Sequence, residues 1–111
     1  MENRTFVSAQ EVDAVQQCPG VMRQVLSYSE EVMMCRFTLE KGADIPLHAH
    51  AAVQNGYVLS GKLEFLRADG SSYLAAPGDS YVFLSNEPHG VRCLEETVVV
   101  ENFLPARKEF L

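Results

Sequence analysis

The sequence has no tryptophan and only three cysteines and three histidines among its 111 residues, and these shortages narrow its chemistry before any motif is read. Cys18, Cys35 and Cys93 are an odd set with neither a CxxC pair nor zinc-knuckle spacing, so they read as free thiols. No apolar run approaches the ~18 residues that a membrane-spanning helix needs. The opening stretch Met1-Glu2-Asn3-Arg4-Thr5-Phe6-Val7 has no apolar secretion signal, and a cytoplasmic location is therefore expected. Basic residues are scarce as well: nine Lys plus Arg stand against fifteen Asp plus Glu, a formal charge of −6. That balance argues against nucleic acid or an anionic membrane surface as partner, because both are bound through clustered positive charge. It leaves room for a small acidic ligand, since a metal ion and a few local arginines can reverse the sign inside one pocket.

Helix-length periodicity is also missing. The one short candidate is Ser8 to Gln17, with Ser8 as N-cap and Glu11 as its capping-box partner, closed by Cys18-Pro19-Gly20; a strand edge competes for the same residues. From Val21 onward, runs of about five to eight residues end in turn signals, which is the rhythm of an all-β chain. In Val32 to Leu39 the odd positions Met33, Cys35, Phe37 and Leu39 are apolar while Arg36 and Thr38 are not, as a strand with one buried face requires. Val53 to Ser60 and Lys62 to Ala68 read as two strands joined at Gly61, and Asp69-Gly70 as a tight hairpin. Ser71 to Ala75, Ser80 to Leu84, Gly90 to Glu95 and Thr97 to Phe103 complete the series. With no repeat or linker in the sequence, residues 1–111 form one unit, and so many short strands predict a small closed barrel or jelly roll.

Two of the three histidines sit in His48-Ala49-His50, where the period of two along a strand sends both imidazoles to the same side. The wider pattern Gly42-x5-His48-x-His50-x3-Gln54-x6-Gly61, followed by Pro77-Gly78-Asp79 and His89, resembles the two motifs of the cupin superfamily. The resemblance implies an all-β cupin barrel, with residues 1–20 as an N-terminal extension and 21–111 as the barrel. It also implies one divalent metal ion (Ni, Zn, Fe or Mn) held by His48, His50, Gln54 and His89. Neutral imidazoles suit such ions, and an amide in place of a carboxylate leaves their charge uncompensated, which favours an anionic oxygen on the incoming ligand.

Further stretches, Gly20-Val21-Met22-Arg23-Gln24-Val25-Leu26, Gly56-Tyr57-Val58-Leu59-Ser60-Gly61, Pro88-His89-Gly90 and Phe103-x-Pro105-x-Arg107, are similar to the KdgF family of pectin-degradation cupins. That similarity implies an enzyme opening and ketonising 4,5-unsaturated monouronates, a small acidic sugar-like substrate and a homodimer. The family's Asp-x-Phe-x-Pro-x-Arg falls on Glu101 to Arg107, so Glu101 is the expected acid-base residue, and Arg107, Phe103 and Tyr57 are the expected substrate contacts. Two positions depart from the family pattern: Glu101 stands where the family has Asp, and Ala52 stands where a further histidine is expected. An Fe(II)-dependent dioxygenase and a non-catalytic metal-dependent sugar or anion binder are the alternative readings. Glu101 has an alternative of its own, as a solvent-facing partner of Arg36 or Arg92.

Overall fold

The protein is described by a computed structural model covering residues 2–111. Eight antiparallel strands carry the fold: β1 (Val15–Cys18), β2 (Val21–Tyr28), β3 (Met33–Leu39), β4 (Asp44–His48), β5 (Val53–Arg67), β6 (Ser72–Ala75), β7 (Ser80–Phe83) and β8 (His89–Leu104). Their neighbour order is β1-β2-β3-β8-β5-β6, with β4 on β8 and β7 on β5. β5 and β8 are the two longest strands and pair with each other on both sides of a bend. The first half of β5 meets the second half of β8 in one sheet, flanked by β7 and β3. Their remaining halves meet in a second sheet, flanked by β6 and β4.

This continuity corrects the expectation of separate strands on either side of Gly61 and of Glu95-Glu96. The chain bends there without breaking. The β5–β8 register shifts between Val58 and Leu63, and Thr97 bridges the bend by accepting from the Lys62 N–H at 2.9 Å and donating to the Glu95 carbonyl at 2.7 Å. Gly61 sits at φ +91°, and a Cβ on it would lie 2.2 Å from Thr97 Oγ1 and 2.3 Å from the Glu96 carbonyl oxygen. Only glycine allows the two sheets to fold over one another at this point.

The interior forms as the alternation predicts: Met33, Cys35, Phe37 and Leu39 all face the core, with Val21, Val58, Leu63, Phe65 and Val99 around them. Of the two readings of Ser8 to Gln17, the strand edge holds at Val15–Cys18 and the helix is corrected. Only Ala9–Glu11 turns, as a single 3-10 turn, and Ser8 makes no side-chain cap. The Gln24 side chain donates to the carbonyls of Ala9 and Val12, both at 2.9 Å, which occupies acceptors an α-helix needs for its own ladder. Val15–Cys18 is recruited as a strand against β2, so pairing with the sheet overrides the local helical signal.

Candidate metal centre and its cavity

His48 is the last residue of β4 and stands opposite His89, the first residue of β8, in the β4–β8 ladder. His50 lies beyond β4, in the loop before β5, so proximity to His48 comes from the chain's turn as well as from strand alternation. The three rings gather with centroid separations of 5.7 Å (His48–His50), 4.3 Å (His48–His89) and 5.0 Å (His50–His89). Their ligand atoms all lie within 4.8 Å of one another.

Each ring is oriented by its own neighbourhood. Nδ1 of His48 lies 3.0 Å from the Pro46 carbonyl, that of His50 2.8 Å from the Ala52 carbonyl, and that of His89 2.8 Å from the Glu87 carbonyl. A carbonyl oxygen can only accept, so each Nδ1 carries the proton and each Nε2 presents a lone pair, the tautomer a metal ligand requires. His89 is clamped further by a near-parallel stack on Phe83 at 4.3 Å. Burial is the main cause holding its pKa down to about 4, and burial followed by the charge of Arg107 lowers that of His50. Both rings are therefore neutral at pH 7.

Gln54 projects inward from β5, 8% exposed, with its Oε1 3.0 Å from His50 Nε2. Its amide nitrogen is engaged elsewhere, donating to Glu101 Oε2 at 2.7 Å. Two lone-pair atoms thus face each other at contact distance, which is repulsive on its own. Two donors each ~2.1 Å from one cation and at right angles to each other would be about 3 Å apart. His89 Nε2 is buried and, among the described residues, has no hydrogen-bond partner, a costly arrangement for a nitrogen lone pair unless a cation meets it. The four groups fit a divalent ion on both counts.

Below this rim lies a cavity of about 420 Å³, a size typical of small-molecule sites. Its walls are largely apolar, from Phe37, Leu63, Phe65, Phe83, Val99 and Phe103; beyond the rim ligands its polar lining includes Glu101, Tyr81 and Arg107, with Gln17 and Asp44 also on the wall. Glu101 faces inward at 8% exposure, whereas Arg92 pairs with Glu64 at 3.7 Å, so the solvent-facing alternative for Glu101 is corrected. Burial raises the Glu101 pKa, opposed by hydrogen bonds from Tyr81 and Gln54 and by the charge of Arg107. Arg107 lies over the rings of Phe110 at 4.3 Å and Phe103 at 5.3 Å, and pairs with Glu109 at 3.7 Å. Tyr57 is a second correction. It alternates with the inward positions Gly56 and Val58, stands 46% exposed on the outer face of β5 and takes no part in the cavity wall. Sequence reasoning missed Tyr81, although the alternation Tyr81, Phe83 on β7 is a signal that both share the inner face.

Residues 35–101 match the Cupin domain family. The chain is also 35% identical over 94 residues to the pectin degradation protein KdgF of Dickeya dadantii (strain 3937), covering 83% of this chain and 84% of that protein. The chain is a cupin of the KdgF family. Among solved structures, this cupin superposes on an RmlC-like cupin from Shewanella frigidimarina with a TM-score of 0.92 at 28% identity, each chain covered completely. KdgF from Halomonas sp. gives 0.88 at 28% identity over 97% of this cupin and all of that chain.

Proposed function

We propose that this cupin is a metal-dependent enzyme of uronate breakdown, opening the ring of a 4,5-unsaturated monouronate and delivering the linear keto acid. The reading extends to this chain what the name of its Dickeya dadantii relative states, participation in pectin degradation. The observation that carries it is the Glu101 carboxylate, buried in the wall of the cavity that the histidine rim caps and linked to that rim through Gln54. A resident ion on His48, His50, Gln54 and His89 would supply Lewis-acid stabilisation of an enolate oxygen, commonly worth several kcal/mol.

The remaining work falls to the chain's own groups. The reaction is an isomerisation: a proton leaves the hemiacetal hydroxyl, the bond from carbon 1 to the ring oxygen breaks, and a proton is returned to carbon 4 as the enol becomes a ketone. Glu101 takes the first proton and returns one to carbon 4, so nothing is gained or lost overall. Burial raises its pKa, which makes it a stronger base than an ordinary carboxylate. Arg107 grips the uronate carboxylate, its planar fork already held against two aromatic rings. Phe103 and the other apolar walls exclude water from the enol.

The test is direct. Metal-loaded protein is mixed with a 4,5-unsaturated galacturonate and followed by proton NMR. Loss of the vinyl signal at carbon 4 and growth of a methylene signal, faster than in a protein-free control, is the expected result. A ligand-induced rise in melting temperature with no product would replace the enzyme by a binding module, and oxygen consumption by the Fe(II)-loaded protein would replace it by an oxygenase.

A further inference from the structure

Glu101 Oε2 receives two hydrogen bonds, from Gln54 Nε2 at 2.7 Å and from the Tyr81 hydroxyl at 2.5 Å. One cross-strand row brings Tyr81 to Glu101: Gly56 on β5 is paired with Tyr81 on β7 on one side and with Glu101 on β8 on the other, while Gln54 stands two residues before Gly56 on the same face of β5. Gly56 makes the contact possible. A Cβ there would lie 2.4 Å from both Cζ and the hydroxyl oxygen of Tyr81, so the phenol reaches the acid only by lying across a bare backbone. The ring is held from the remaining sides by Phe65 at 4.4 Å and Phe83 at 5.5 Å.

We propose that Tyr81 is a positioning residue that acts through Glu101 on the metal centre, fixing the carboxylate so that the Gln54 amide is locked with its oxygen toward the three imidazoles. A primary amide can present either its oxygen or its NH2 in nearly the same volume, and only its partners decide. Glu101 Oε2 accepts from the Gln54 NH2 and thereby sets the choice. One anchor at Gln54 alone leaves the carboxylate free to rotate about its terminal torsion, and the short bond from Tyr81 removes that freedom. The phenol serves as a donor: burial and the adjacent Glu101 push its pKa well above the ordinary tyrosine range, so it keeps its proton. Partners of metal ligands commonly change affinity by about 10–100-fold when removed, and Tyr81 stands one step further out, so its effect belongs at the lower end.

This inference rests on the metal-binding reading of the rim, and Co(II) binding separates the two. Purified apo-protein is titrated with Co(II) alone while the visible ligand-field spectrum is recorded. If the wild type gives no saturable spectrum, the metal reading itself fails. If it does, Tyr81→Phe, which keeps the ring's packing, is expected to weaken Co(II) roughly tenfold and to alter the spectrum through loss of the amide oxygen. In a Glu101→Leu background, where no carboxylate remains to be positioned, adding Tyr81→Phe is expected to change neither. Wild-type affinity and spectrum in Tyr81→Phe would overturn the proposal, and so would an equal loss in both backgrounds, which marks a packing effect. Gly56→Ala provides a second route should Tyr81→Phe not fold. It displaces the phenol while keeping the hydroxyl and is expected to reproduce the tenfold loss; unchanged Co(II) binding in that variant overturns the proposal equally.

Discussion

Each imidazole of the rim is aligned by a carbonyl two residues away in its own segment, whereas the acid in the cavity wall is held by Tyr81, 20 residues earlier, and by Gln54, 47 residues earlier. Local alignment tolerates change elsewhere, because each ring keeps its tautomer as long as its own turn survives. The acid depends on three strands keeping register, since one residue of slip would send Tyr81 or Glu101 to the outer face. The contrast predicts that proton transfer at the acid can be lost while the metal stays, provided that the hydrogen bonds the acid accepts from Gln54 and Tyr81 are kept.

The largest effect is expected from His89→Ala. It removes a proposed ligand that is 5% exposed and stacked on Phe83, and with it the proposed Lewis-acid contribution of several kcal/mol, about 10³-fold or more in turnover. Metal content after dialysis, measured by elemental analysis, should fall together with NMR-monitored turnover. Glu101→Gln comes next. The amide that replaces the carboxylate still accepts from Gln54 and Tyr81 but cannot shuttle a proton, so turnover drops about 10²–10⁴-fold while the bound metal stays. Loss of metal in Glu101→Gln would join the two regions into one unit and end the contrast.

The same contrast explains what could be read from the residues in order. His48-Ala49-His50, Gln54 and His89 carry a spacing pattern, and the β3 alternation appears unchanged in the structure as its buried face. Turn residues such as Gly70, at φ +86°, were equally plain. Tyr81 has no such signature. Its importance comes from lying opposite Gly56 and beyond it Glu101, which is fixed by the register of three strands and not by any local motif. The bent continuity of β5 and β8 was hidden for a related reason: Gly61 and Glu95-Glu96 look like chain ends locally, and only their packing against each other through Thr97 turns them into a shared bend. The N-terminal helix failed because Gln24, remote from that stretch, took the carbonyls of Ala9 and Val12.

Arg107 sharpens the comparison from the substrate side. Its guanidinium is set by Phe103 and Phe110 and belongs to neither the rim nor the acid pair. Arg107→Gln deletes a charge-assisted contact of about 1.5–3 kcal/mol, which predicts a KM raised about 10–100-fold with a much smaller change in kcat and unchanged metal content. A kcat loss as large as that of Glu101→Gln would mean that the arginine acts on the reacting atoms themselves.

The smallest effect is expected one residue away from the cavity. Tyr57 follows Gly56, whose bare Cα makes room for Tyr81, yet strand alternation turns the Tyr57 ring to the opposite face, where it pairs laterally with Ser80 and Val100. Tyr57→Ser should leave kcat, KM and metal content within about twofold of wild type and shift stability by about 0.5 kcal/mol, as for an exposed position without special contacts. Measuring that variant beside Gly56→Ala sets neighbouring residues against each other on the two faces of one strand. A tenfold loss in Tyr57→Ser that depends on protein concentration would assign the outer face of β5 to a contact between chains, and the site would then rely on both faces of the strand.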